Sequence, residues 1–342
     1  MIDINMMSNK EKIIISVLLG AILILILVMF NPGNLNKNER KVVTEPQNIL
    51  TAGGAPGAER GFFSSPKDIA VDKEGNIFVV DSKNNRIQKF NNVGVFVLAW
   101  GKEGNGPGEL KEPCGIDIGP DGNIYVADTW NARVAIFTAT GSFIRFVGQE
   151  QGLWGPRDVG VDKDGNVYIL DTGNSVILKF DNKGKFVMTF GKKGGGKSET
   201  DYAEPFSMKQ GPDGNLYVVD RKNFRIKVIS TMGKYIREIK VKGWSTDQVA
   251  GGCLMEPYIA IDEQNNKILI TDSTNHRVLT FNLNGGSVKS IALDKNKAKL
   301  NCPMGIAVLK NGQALVTDNS VGKIATISVS YTHLTLPTNR EV

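Results

Sequence analysis

Six times along the chain a proline is followed 15 residues later by an aspartate. The prolines are Pro66, Pro113, Pro156, Pro205, Pro257 and Pro303; the aspartates are Asp81, Asp128, Asp171, Asp220, Asp272 and Asp318. The interval inside a copy never changes, whereas successive prolines lie 47, 43, 49, 52 and 46 residues apart. A rigid unit joined to its neighbours by loops of variable length makes that pattern. In the first copy Ile69 and Val71 alternate into a turn at Glu74-Gly75, and Ile77 to Val80 run on to Asp81. The next turns carry Asp121-Gly122, Asp164-Gly165, Asp213-Gly214 and, in copy six, Asn311-Gly312. Such pairs between apolar runs predict tight hairpins in which both turn residues take positive φ. They also account for much of the glycine, 38 of 342 residues, against roughly 7% in average chains. In copy five Asp262-Glu263-Gln264-Asn265-Asn266 lengthens the turn by one residue and shortens the first strand by one.

After each aspartate come a short loop and two more strands, as in Arg86 to Phe90 and Val95 to Trp100, closed by Gly101. Four antiparallel strands in about 45 residues predict one propeller blade. Such a sheet cannot bury both faces alone, so neighbours must stack and the array must close. Copy six ends after its third strand, near Lys323 to Ser328, and Gln47 to Gly54 are predicted to supply its outer strand. The expected fold is all-β: a six-bladed propeller over residues 47–329.

The lines PKDIAVDKEGNIFVVDSKNNRIQKF, PCGIDIGPDGNIYVADTWNARVAIF and PRDVGVDKDGNVYILDTGNSVILKF resemble NHL repeats. The resemblance covers about four-fifths of the chain. It implies a six-bladed propeller of a kind that mostly binds proteins, RNA or small ligands, some of them displayed in bacteria outside a membrane anchor. A related branch implies the alternative of a metal-dependent lyase or lactone hydrolase.

Outside the repeats, residues 13–30 form an uncharged run, IIISVLLGAILILILVMF, long enough as a helix to cross a bilayer. No small-residue cleavage site follows it, so it reads as an uncleaved anchor and not as a secretory signal. Lys10 and Lys12 abut the run, which favours a cytoplasmic N-terminus over residues 1–12 and a propeller outside the cytoplasm. Residues 31–46 read as a linker. Residues 330–342 lack the blade pattern and read as a non-native tail.

Six aspartates in register tempt a catalytic assignment, but a catalytic carboxylate is needed once. Asn84, Asn131, Asn174, Asn223 and Asn275 stand three residues after the aspartates, and Arg86, Arg133, Arg225 and Arg277 stand five after. Asp capping a turn, Asn tolerating left-handed φ and Arg bracing the carboxylate make a structural motif. Gly191 to Ser198 matches GxxxxGK[ST], yet only six residues separate Ser198 from Pro205, too few for the helix that phosphate binding needs. Asp162 to Asn166 lacks the rest of a calcium loop. With His276 and His333 the only histidines, a three-histidine zinc site is not available, and neither a metal nor another cofactor is expected. Cys253 and Cys302 lie in adjacent blades, where both a disulfide and buried thiols fit; Cys114 is too far round the ring to join them.

The loops after the aspartates and those beside the prolines emerge on one face, around the channel mouth. Side chains there that the repeat does not explain are the candidate binding residues: Trp130, Lys222, Phe224 and His276, with Arg157, Phe206 and Tyr258. Residues 185–242 hold 13 Lys and Arg against 6 Asp and Glu. Arg221, Arg225, Lys227, Lys234, Arg237 and Lys240 make blade four a candidate basic patch, which carries a second alternative of nucleic-acid or polyanion binding. A domain outside the cytoplasm makes nucleic acid the weaker partner. The leading expectation is therefore a membrane-anchored scaffold, not an enzyme, that binds a protein, glycan or small molecule outside the cytoplasm.

Overall fold

The computed structural model describes residues 57–195, 198–244, 253, 255–286, 289–291 and 300–328. The expected anchor, linker, closing strand at 47–54 and tail lie outside the described residues. Among the described residues no helix is long and apolar enough to cross a membrane.

The repeat is a blade. Its first copy folds into strands Pro66–Val71, Ile77–Asp81, Arg86–Phe90 and Phe96–Trp100, each hydrogen-bonded antiparallel to the next. Copies two to five give four-stranded sheets of the same order, and copy six gives three strands among the described residues. The constant 15-residue interval is a strand register, since Pro66 pairs with Asp81, Pro156 with Asp171, Pro205 with Asp220 and Pro303 with Asp318. The innermost strands include Pro66–Val71, Ile116–Ile118, Pro156–Val161, Pro205–Gln210, Ile259–Asp262 and Pro303–Val308. Each packs against its neighbour, and Pro66–Val71 packs against Pro303–Val308, so the inner ring closes.

The core lies between blades. The second strand of each blade is buried along its whole length, apart from the opening Lys267 of blade five, because a neighbour covers each face. Phe78, Val80 and Ile87 of blade one pack with Ile116, Ile124 and Val126 of blade two in one cluster. Each such side chain contributes roughly 1.5–3 kcal/mol by leaving water. Only the outermost strand, Phe96–Trp100, alternates between covered and exposed positions.

Two local expectations need correction. In the first hairpins the glycine alone has positive φ: +87° at Gly75, +77° at Gly122, +81° at Gly165. Gly75 N donates to Asp72 O at 3.0 Å and Asp72 N to Asn76 O at 3.0 Å, a three-residue loop ending in a left-handed glycine. The Asp72 carboxylate selects this form by accepting from Glu74 N and Asn76 N. In blade five, Asn266 takes the left-handed position at φ +51°.

The second correction concerns the loop after each aspartate. Left-handed φ falls on the fourth residue and not on the asparagine: Asn85, Ala132, Ser175, Phe224 and His276 lie between +51° and +56°. For residues other than Asn this costs about 1–2 kcal/mol. The asparagine instead clamps the loop. Asn131 Nδ2 donates to Asp128 Oδ2 at 2.9 Å and to Gly104 O at 2.8 Å. Asp128 also accepts from Lys111 N and Arg133 Nε, both at 2.7 Å. The same set surrounds Asp81, where Ser64 N, Asn84 and Arg86 donate. Burial pushes the Asp81 and Asp128 carboxyls up, against the asparagine, backbone and arginine donors that pull them down.

Cys253 and Cys302, left open by the sequence, form a disulfide with Cα atoms 5.5 Å apart, whereas Cys114 is a buried thiol.

Removing one half of a buried pair costs more than the pair itself contributes. Asp128→Asn leaves Arg133 buried without its anion and should cost about 3–5 kcal/mol. Asp171→Asn faces only neutral donors, Trp154 N and Asn174 Nδ2, because Val176 stands where the arginine would be. It should cost about 1–3 kcal/mol. Urea denaturation of the two variants checks the order, and equal losses would show that the arginine brace is not used.

Candidate functional site

Each blade sends two loops to one face, and in blades one to four and six the buried aspartate ties them together. Between blades two, three and four these loops enclose a cavity of about 770 Å³ that reaches to Glu256, just before blade five. Trp130 stands in the loop after Asp128 and is 57% exposed; Trp154, two residues before Pro156, is 68% exposed. Both line the cavity, together with Phe206. Trp154 is held by its backbone, whose N–H donates to both oxygens of Asp171 at 3.1 and 3.0 Å. Lys192–Lys193 pairs in parallel with Asp201–Tyr202, which brings Lys193 and Gly194 to the cavity wall. Among the described residues no helix follows this glycine-rich loop.

The charged groups of the cavity come as two bridged clusters. Glu204, which precedes Pro205 at φ +50°, meets Arg221 Nη2 at 3.0 Å and also Lys222 Nζ. Arg221 is further fixed by Nη1 donating to Met255 O at 2.7 Å, while its Nε is buried without a partner. Glu256, which precedes Pro257, meets Arg157 Nη1 at 3.3 Å and Lys67 Nζ. Lys67, Arg157 and Glu256 thus join blades one, three and five across the channel mouth. Arg157 also lies 5.6 Å over the Phe206 ring.

Below the mouth the channel is polar and enclosed. Tyr258 is 1% exposed, stands edge-on to Phe206 with centroids 5.6 Å apart, and its hydroxyl is buried without a partner. Burial, then the nearby Cys114 and Asp68, push its pKa well up. Burial also raises the Cys114 thiol, more than Arg157 and Lys67 lower it, so this cysteine is a poor nucleophile. Deeper in, Asp158 accepts from Ser207 Oγ at 2.8 Å and Met208 N at 2.7 Å, and Asp68 accepts from Ile116 N at 3.0 Å. These bonds stitch inner strands to their neighbours. Burial pushes Asp158 up to about 6 against the pull of Lys209, and burial together with Asp158 raises Asp68 well above the usual carboxylate range. Burial works against the Lys209 ammonium, but Asp117, Asp68 and Asp158 outweigh it and hold its pKa above the ordinary value. Lys209 Nζ donates to Asp117 at 2.7 Å.

Of the seven sequence-predicted binding residues, Trp130, Arg157, Phe206 and Lys222 meet at the cavity. Tyr258 lies beneath it. Phe224 is half-buried against the core between blades four and five, and His276 is exposed elsewhere, with its ring Nδ1 on Asn301 O. Phe206 and Tyr258 are buried and Phe224 half-buried, because neighbouring blades cover them. The predicted basic patch is not one surface either. Arg225 is buried against Asp220 and Glu238 at 2.8 Å each. Lys227 is fully buried 3.7 Å from the Tyr202 ring, where burial and then Arg225 lower its pKa to about 8. Arg237 is half-buried on Tyr217 and Leu283 O, and Lys234 and Lys240 are exposed. Physically, both faces of a blade are covered, so basic residues on its inner strands turn into the core. Trp154, Glu204 and Glu256 were missed. They occupy the two positions before the prolines; the tryptophan is unique to its copy, but a glutamate there recurs in three of six copies and so does not stand out.

Comparison with known proteins agrees with this geometry. Residues 63–90, 110–137 and 153–180 match the NHL repeat, and residues 211–306 match a family described as a 6-bladed beta-propeller. The chain is a six-bladed β-propeller. It carries NHL repeats, the first three blades matching them one by one. Peptidyl-glycine alpha-amidating monooxygenase B of Xenopus laevis is 42% identical over 60 residues, a stretch spanning 17% of this chain and 7% of that protein. Virginiamycin B lyase from Staphylococcus aureus, solved with quinupristin, is similar at TM-score 0.55 and 17% identity over 78% of this chain and 80% of that one. A chain of a nidogen/laminin complex is similar at TM-score 0.58 and 14% identity over 74% and 88%. At these identities the likeness to solved structures shows the fold alone. One neighbour is a lyase and another comes from a protein complex, so the fold does not choose between turnover and binding.

Among the described residues no group of three His, Cys, Asp or Glu side chains is arranged to hold a metal ion. The buried acids are instead proton-binding groups. Asp158, raised to about 6, holds a proton in the folded chain where the unfolded carboxyl, near 3.9, has released it. Its contribution to stability therefore falls as pH rises from about 4 to about 6. Asp158→Asn does not titrate, so the variant should gain on the wild type over that window and run parallel to it above about pH 7. A difference in denaturation midpoint that stays flat from pH 4 to 7 would mean the carboxyl titrates at its ordinary value.

Proposed function

We propose that this chain is a membrane-anchored propeller displayed outside the cytoplasm, which binds a ligand at the loop-face cavity without turning it over. The observation that carries the proposal is the pair of exposed tryptophans walling one cavity whose floor is fixed by bridged ion pairs. A volume near 770 Å³ is within the roughly 300–1,000 Å³ of small-molecule sites. Rigid aromatic walls bind with little loss of side-chain freedom. The polar groups below the cavity favour binding over catalysis, because nearly every one is already engaged: Arg157 and Lys67 by Glu256, Asp158 by Ser207 and Met208, Lys209 by Asp117. Both carboxylates that line the cavity, Glu204 and Glu256, are held by cations. The Cys253–Cys302 disulfide is at home in an oxidising compartment, which agrees with a domain outside the cytoplasm.

The full-length protein should be stabilised against heat by a member of a small-molecule or oligosaccharide library, by about 2.7 kcal/mol at a hundredfold excess over Kd. The Trp130→Ala, Trp154→Ala double variant should show the same unliganded midpoint and no ligand shift. A shift that survives the double variant moves the site elsewhere, and breakdown of the bound molecule, or of quinupristin, replaces binding with catalysis. For the anchor, the full chain should sediment with membranes after an alkaline wash, and deletion of residues 13–30 should release it. Recovery of the full chain in the soluble fraction would remove the anchor from the proposal.

A further inference from the structure

We propose that the cavity between blades two, three and four takes an organic anion, a carboxylate carried on a ring with an apolar face. The proposal rests on the reading of this cavity as the ligand site and assigns the chemistry of what enters it.

Charge is the first argument. Glu204 is shared by two cations, Arg221 at 3.0 Å and Lys222. Glu256 is likewise shared by Arg157 at 3.3 Å and Lys67. Each cluster therefore carries one positive charge more than its carboxylate neutralises. Lys193, exposed on the wall, adds another and has no ion-pair partner among the described residues. Apolar walls lower the local dielectric and lengthen the reach of this excess.

The second argument is an unpaired donor. Arg221 Nε is buried and makes no hydrogen bond, although the same guanidinium is held by Glu204 and by Met255 O. A buried N–H without an acceptor costs about 1–3 kcal/mol. Arg221 lines the cavity, so a turn of its guanidinium presents that donor to an incoming carboxylate, and a neutral apolar ligand cannot satisfy it. A cationic ligand would meet the charge excess and be repelled.

Shape supplies the ring. Trp130 and Trp154 hold large indole faces in water at 57% and 68% exposure, on the same cavity. Covering them with a ring face removes apolar area from water, and an aromatic ring adds stacking of about 0.5–1.5 kcal/mol per ring pair. An aromatic carboxylate lays a flat ring there, and a uronic-acid pyranose, a chair, lays its C–H face. Both set an apolar ring face beside a carboxylate, so the chemistry is shared and the source is a matter for measurement.

Isothermal titration of the full-length protein separates the cases. The probes are indole-3-carboxylate with its carboxamide, and digalacturonate with the same disaccharide reduced to its alcohol. In at least one pair the carboxylate should bind tenfold or more tightly than its neutral counterpart, and the pair that does so identifies the source. The preference should shrink in 0.5 M salt, by screening. Lys193→Gln and Lys222→Gln, both at exposed side chains, should each weaken the carboxylate severalfold and leave the neutral probe unchanged. Equal binding within both pairs, abolished by Trp130→Ala with Trp154→Ala, would overturn the anion and leave the cavity as the ligand site. Carboxylate binding untouched by the tryptophan variants would overturn the cavity itself. Failure of all four probes to bind overturns the anion proposal, and the library screen then decides the fate of the cavity.

Discussion

The buried carboxylate at the end of each second strand is the interaction on which the rest of the structure depends. Asp128 holds Lys111 N from the loop before its proline, and Asn131 and Arg133 from the loop and strand that follow it. Arg133 then spreads to Asn105 O at 2.7 Å and Glu109 O at 3.3 Å. One charge thus ties the loop before the proline and the short turn after the aspartate to the strand that follows. The loops need this help, because their left-handed residues, Ala132 and Phe224 among them, are unfavourable without it. Where the arginine is absent, as at Val176, one backbone donor and one side-chain amide remain and the loop keeps its form. The cavity is the space between loops held in this way, so its shape is inherited from a structural motif that takes no part in binding.

Closure of the ring places a second constraint at its centre. Side chains that follow the prolines converge there from six directions, and the protein resolves the crowding with charge. Lys67, Arg157 and Glu256 link alternate blades at the mouth, Lys209 and Asp117 do so deeper in, and Asp68 and Asp158 tie adjacent blades. Glycine answers the same crowding where no side chain fits. A Cβ on Gly305 would come within 2.4 Å of the Asp68 Cα, and one on Gly115 within 2.3 Å of Asp158 Oδ1. The two acids sit at the equivalent position of blades one and three, so small and charged residues share one ring position and lock neighbouring inner strands together. Raised carboxyl pKa values follow from that burial and are compatible with a structural role.

Much of this was legible in the sequence. The proline-to-aspartate interval is a strand register, and a register is a property of local backbone geometry that pattern alone can carry. Strand limits such as Arg86–Phe90 follow from the same periodicity. Half of the cavity was legible too, since Trp130, Arg157, Phe206 and Lys222 stand out against the repeat. Trp154, Glu204 and Glu256 did not stand out, because they end loops of variable length, and a glutamate before the proline recurs at Glu112 with no part in the cavity. The basic residues of blade four were visible as a count and misplaced as a surface. Arg225 and Lys227 lie on a strand covered from both sides, where a charge is paired or loses its proton more readily.

What the sequence determined by itself is the unit: its strands, its turn glycines, its aspartate motif and the number of times it recurs. Those depend on interactions within about 25 residues, and each copy states them again. Only the tertiary structure decided which irregular residues meet. Trp130 and Trp154 belong to different blades, Glu204 and Glu256 to different loops, and Lys67 reaches Glu256 from the far end of the chain. The angle between stacked blades and the closing of the ring set those distances. They arise from side-chain packing between sheets, which no single repeat contains.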